Sequence, residues 1–116
     1  NLRINDPRGS AEVTALSFPG DVGGNLANVN RLFGQIDLNS IDQAQLESIS
    51  KPITISHHRG TYLRLQGPQK SILVGILPFH GNTWFFKMLG DTATVLANEL
   101  AMKNFLDSVN IHDTNH

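Results

Sequence analysis

From residue 52 to residue 89 apolar and polar side chains alternate with a period of two, the mark of strands that turn one face to a core. Three turn signals cut the alternation, at His58-Arg59-Gly60, Gly67-Pro68-Gln69-Lys70 and His80-Gly81-Asn82. Three-residue loops at the first and third, and a four-residue loop at the second, predict a four-strand antiparallel meander. In these registers Ile55 faces Leu63, Leu65 faces Ile72, Leu63 faces Val74 and Ile76 faces Phe86. One face then carries Ile53, Ile55, Leu63, Leu65, Ile72, Val74, Ile76, Trp84, Phe86 and Met88. The reverse carries Tyr62, Arg64, Leu73, Gly75, Leu77, Phe85, Lys87 and Leu89. The last two strands are apolar on both faces, which makes them central.

Ahead of these strands, residues 11–17 form a short β-prone run closed by Pro19-Gly20. A turn-rich stretch follows, with Asp21 or Asn25 available as an N-cap and a left-handed backbone expected at Gly23 or Gly24. Leu26, Val29, Phe33 and Ile36, with Leu32 beside them, give residues 26–36 one helical face; Asn28, Arg31 and Gln35 give the opposite one. Ser40-Ile41-Asp42-Gln43 has the form of a capping box for a second, short helix that ends before Pro52. Asp91 is expected to cap a long helix reaching Val109, striped by Val95, Met102 and Leu106. The predicted architecture is α+β: an antiparallel sheet of an N-terminal strand and the meander, packed with helices.

At 116 residues one domain is expected, spanning 1–116, with residues 1–10 and 111–116 flexible. The chain begins at Asn1 rather than Met, so upstream native sequence is expected to be missing. Nine Lys and Arg against ten Asp and Glu leave a formal charge of −1, which provides no field for nucleic acid or anionic lipid. With no cysteine there is neither a disulfide nor a thiolate ligand or nucleophile. The longest apolar run, residues 72–79, is too short to span a bilayer.

Two stretches resemble a family of uncharacterised bacterial proteins. Phe18-Pro19-Gly20-Asp21-Val22-Gly23-Gly24-Asn25-Leu26-Ala27-Asn28-Val29-Asn30-Arg31, with Gln35 following, is similar to that family's "PGD-GG-LANVNRW-GQ" motif. Thr83-Trp84-Phe85-Phe86-Lys87-Met88-Leu89-Gly90-Asp91 is similar to its "TWFFKLTGD" motif. Leu32 departs from the family's Trp, and Leu89 from its Thr. The resemblance implies an exported, periplasmic or lipid-anchored protein without assigned activity. The element order also resembles the PsbP-like fold of a photosystem II extrinsic subunit and of a nuclear-transport factor that binds the GTPase Ran. Those relatives are accessory binding proteins, and the likeness is one of fold alone.

Candidate chemistry is sparse. The Gly-rich segment 20–31 opens a helix and has the N–H groups to cradle an anion, but it matches no nucleotide motif, Asp21 would repel phosphate, and the segment reads first as a tight strand-to-helix connection. Asn28, Asn30, Arg31 and Gln35 either read a polar ligand or staple neighbouring loops. Five histidines are spread over turns and the C-terminus, His57 and His58 pointing to opposite faces, and make no metal set. No GxSxG motif and no paired carboxylates are present, which argues against an enzyme. On the reverse sheet face Tyr62, Gly75 and Lys87 form one predicted row, with Arg64 in the next. Either this row binds an acidic or planar ligand, or the helix of residues 26–36 fills the gap at Gly75. The expectation is a non-catalytic accessory or interaction domain, with a small-molecule-binding domain as the alternative. No cofactor or metal is expected. The site is expected to join Asn28, Asn30, Arg31 and Gln35 to Tyr62, Arg64 and Lys87.

Overall fold

In a computed structural model, which describes residues 2–20 and 24–111, the chain forms one six-stranded antiparallel sheet covered by four helices. Strands β1 (Leu2–Asp6) and β2 (Gly9–Pro19) precede helices α1 (Gly24–Gln35) and α2 (Gln43–Ile49). Strands β3 (Lys51–Ile55), β4 (His58–Gln66), β5 (Lys70–Phe79) and β6 (Asn82–Asp91) follow, then α3 (Thr92–Ala97) and α4 (Glu99–Ser108). Across the sheet the order is β1-β2-β6-β5-β4-β3. Residues 2–10, expected to be flexible, instead pair as β1 and the start of β2, with Asp6 opposite Gly9. The expected caps at Asp21 and the glycine at 23 lie outside the described residues, as do His112 and His116; Gly24 does adopt φ +85°.

The β4–β5 register is the expected one, with Leu63 opposite Val74 and Leu65 opposite Ile72. The other two hairpins differ. Their loops have two residues, not three: Ser56-His57 and His80-Gly81, with φ of 53°, 67°, 51° and 80°. Positive φ at both central positions is the pattern of a tight turn whose twist matches that of the strands. Ile55 therefore pairs with His58, and Ile76 with Phe85. A register change by an odd number of residues turns every side chain to the other face. Ile55 and Leu63 accordingly lie on opposite faces, as do Ile76 and Phe86, against expectation.

One core forms where α1 and α2 bring Val29, Leu32, Phe33, Ile36 and Leu46 onto Leu63, Leu65, Ile72, Val74 and Ile76, with Phe85 and Leu89 at its margin. The other forms where α3 and α4 bring Val95, Met102 and Leu106 onto Ile55, Tyr62, Leu73, Leu77, Phe86 and Met88. Leu73 and Leu77, expected beneath α1, lie beneath α4. So does the gap at Gly75, which Leu106 fills in place of α1.

Two caps were misplaced. Asp42, not Ser40, caps α2: its carboxylate accepts from Gln45 N while Gln45 Oε1 accepts from Asp42 N. Asp91 makes no cap hydrogen bond and instead accepts from Ser10 N at 2.9 Å and Lys70 Nζ at 2.8 Å. The expected single C-terminal helix is divided at Asn98, whose Nδ2 donates to the Thr94 carbonyl at 2.8 Å alongside its own backbone N–H at 3.2 Å.

Candidate functional site

Alternation along β2 turns Thr14, Leu16 and Phe18 to the α1 side, while Ala11 and Val13 join the α4 core. Thr14 pairs with Lys87, and Lys87 with Val74, so these three make one cross-strand row; Leu16 and Phe85 make the next. Above them, Asn28, Arg31, Leu32 and Gln35 succeed one another along α1 at the three- and four-residue spacings of one helix face. Row and helix line a half-open cavity of about 180 Å³, with Leu16, Arg31 and Gln35 exposed at its rim.

At its rim Lys87 Nζ donates to Gln35 Oε1 at 3.1 Å, and Arg31 donates to Asn28 Oδ1. Asn28, on the helix face opposite the expected apolar one, is buried and also donates to the Gly24 carbonyl at 2.9 Å. The ion pairs among the described residues are Arg8–Asp6, Arg64–Glu99 and Lys70–Asp91; Arg31 and Lys87 belong to none. Burial and then the Arg31 charge hold the Lys87 ammonium below the usual lysine range, against the opposing pull of Glu12. Phe18 meets Phe85 edge-on with ring centroids 6.0 Å apart, which gives the cavity an aromatic wall. Two cations held by neutral amides beside apolar surface carry N–H donors from which an anion could accept charge-assisted hydrogen bonds.

Tyr62 and Arg64 are elsewhere. Tyr62 pairs with Gly75, and Gly75 with Phe86, so the expected Tyr62–Gly75–Lys87 row does not exist and Tyr62 and Lys87 lie on opposite faces. On its own face the Tyr62 hydroxyl donates to Glu99 Oε2 at 2.7 Å, and Arg64 donates to Oε1 at 3.0 Å. Lys103 Nζ lies 5.1 Å from the Tyr62 ring centroid. With Lys51, Pro52 and Ile53 these residues line a half-open cavity of about 490 Å³. Burial, then the hydrogen bond to Glu99, push the Tyr62 phenol up, so it stays protonated at neutral pH. Both Glu99 oxygens are engaged, which makes this cluster a tie between α4 and β4.

Asn30 belongs to neither cavity. It donates to the Ile41 carbonyl at 3.0 Å and accepts from the Ile41 N–H at 2.8 Å, fastening the loop before α2. Gly20 is locked to the β5–β6 turn, its N–H donating to the Gly81 carbonyl and its own carbonyl accepting from Thr83 Oγ1. Among the described residues no three His, Asp or Glu side chains come together as a metal set. Of the expected site residues, the structure joins Asn28, Arg31, Gln35 and Lys87. Sequence reasoning missed Thr14, Leu16 and Phe18 in this cavity, and Glu99 and Lys103 in the other. The alternation through residue 18 and the i, i+4 spacing of Glu99 and Lys103 were the available signals.

No family model, curated protein or solved structure matches this chain. No helix of the described residues is long and apolar enough to cross a membrane.

Proposed function

We propose that the protein is a non-catalytic binding domain that takes a small organic anion in the cavity between α1 and strands β2 and β6. The observation that supports this most is the convergence of Arg31 and Lys87, neither in an ion pair among the described residues, on one small cavity with an aromatic wall. Arg31 offers a planar fork suited to a carboxylate and Lys87 a point charge, while Leu16, Phe18 and Phe85 suit a short apolar body. In this reading the four-strand meander and its two helical layers are a PsbP-like scaffold for an exported or lipid-anchored bacterial accessory protein, as the sequence resemblance implies.

The test is a chemical-shift titration with glycolate, butyrate and inorganic phosphate. Saturable shifts at Gln35 and Lys87 are expected with the carboxylates. Arg31→Met and Lys87→Met should each weaken binding about tenfold or more, because a charged hydrogen bond contributes roughly 1.5–3 kcal/mol. Equal binding by the wild type and both variants would refute the assignment.

A further inference from the structure

We propose that Lys87 is a nucleophilic amine that captures the carbonyl carbon of a small oxo acid whose carboxylate rests on Arg31. This deepens the anion-binding reading of the same cavity and rests on it. Four lysines are present, and their settings differ. Lys51 and Lys103 are exposed at the mouth of the opposite cavity, and Lys70 is paired with Asp91. Lys87 alone is half-buried on a central strand, with the Val74, Phe85 and Leu32 side chains around it.

Three features suit it to attack. Its half-buried position partly desolvates the amine, and desolvation disfavours the ammonium. Arg31 reinforces this by repulsion; Glu12 on β2 opposes it, and the other cavity-lining residues of α1, β2, β5 and β6 are uncharged. Its hydrogen bond is to the neutral oxygen of Gln35, not to a carboxylate that would hold the charge. Desolvation beside a second cation is a recognised means of activating lysine toward carbonyls. Arg31 meanwhile provides the anchor that would aim a carboxylate-bearing carbonyl at Nζ.

The chemistry balances without an added reagent. The neutral Nζ forms a bond to the carbonyl carbon, and the carbonyl electron pair moves to oxygen. A proton passes from nitrogen to that oxygen through solvent, giving a carbinolamine. Loss of water gives the imine, and its hydrolysis returns amine and oxo acid.

Trapping with glyoxylate and cyanoborohydride near neutral pH, read by peptide mass spectrometry, tests this. Labelling should saturate with glyoxylate and run about tenfold faster or more at Lys87 than at Lys51 or Lys103, because an oxo acid held on Arg31 meets Nζ at a raised effective concentration. Arg31→Met should abolish the saturation. Glycolate, which has the carboxylate but no carbonyl, separates the two readings. If glycolate binds in the cavity yet Lys87 labels no faster than Lys51, the nucleophile assignment fails and anion binding stands. If neither glycolate nor glyoxylate saturates, both fail.

Discussion

Leu106 stands where a side chain at Gly75 would begin: a Cβ built on Gly75 would lie 2.9 Å from Leu106 Cδ2 and 3.0 Å from Cδ1. The Ile55 Cδ1 methyl closes the same space at 3.0 Å. Gly75 lies opposite Tyr62 and Phe86 in the centre of the sheet, so its missing side chain lets α4 settle onto β5. Gly75→Val should destabilise the fold by about 2–3 kcal/mol through overpacking. In a Leu106→Ala background the same substitution should cost less, because the truncated leucine leaves room for it. Urea unfolding of the four proteins measures this coupling, and additive costs would show that α4 does not depend on the glycine.

Asn30 predicts a different kind of loss. Its side-chain amide satisfies both the N–H and the carbonyl of Ile41, across eleven residues of chain. Asn30→Ala should therefore cost roughly 1–3 kcal/mol, the range for leaving partly buried polar groups unsatisfied. Asn30→Asp keeps the acceptor for Ile41 N but loses the donor, and should fall between the two. Because Asn30 lies outside the cavity, glycolate affinity should not change in either variant. A fall in affinity without loss of stability would reassign Asn30 to the binding site.

Elements were more legible in the sequence than registers, and the site depended on register. The strands of residues 52–89 and the helix from residue 26 announced themselves by period, which reflects burial directly. The β4–β5 turn was also legible, because Gly67-Pro68 marks it and its loop length leaves little choice. Ser56-His57 carries no glycine, yet both residues adopt positive φ. Buried Ser56 helps to hold that turn from a distance: its N–H donates to the Leu106 carbonyl and its hydroxyl accepts from Ile111 N. Contacts with residues some fifty positions away leave no local trace in the chain. The slip at His80-Gly81 was a single residue, and it separated Lys87 from Tyr62; Lys87 still meets Arg31, as expected, because α1 lies on the sheet face opposite to the expected one. The α1 half of the site was therefore readable, and the sheet half was assembled from the wrong face.

Tyr62 makes the last prediction, on the alkaline side. It is the one tyrosine of the chain, so its ionisation can be followed directly by ultraviolet difference absorbance. Burial is the first cause that raises its pKa above the ordinary 10.0; the hydrogen bond to Glu99 and the Glu99 charge add to it, and Arg64 opposes. A group whose pKa is raised by folding contributes stability that is complete below its unfolded value and lost as pH climbs beyond it. Stability should thus hold up to about pH 10 and fall above it, and phenolate should appear together with the loss of circular dichroism. Glu99→Gln removes the charge while keeping an acceptor for the hydroxyl, so phenolate should then appear at lower pH, before the fold is lost. Phenolate forming near pH 10 in a fully folded wild-type protein would show that the Tyr62–Glu99 bond does not hold in solution.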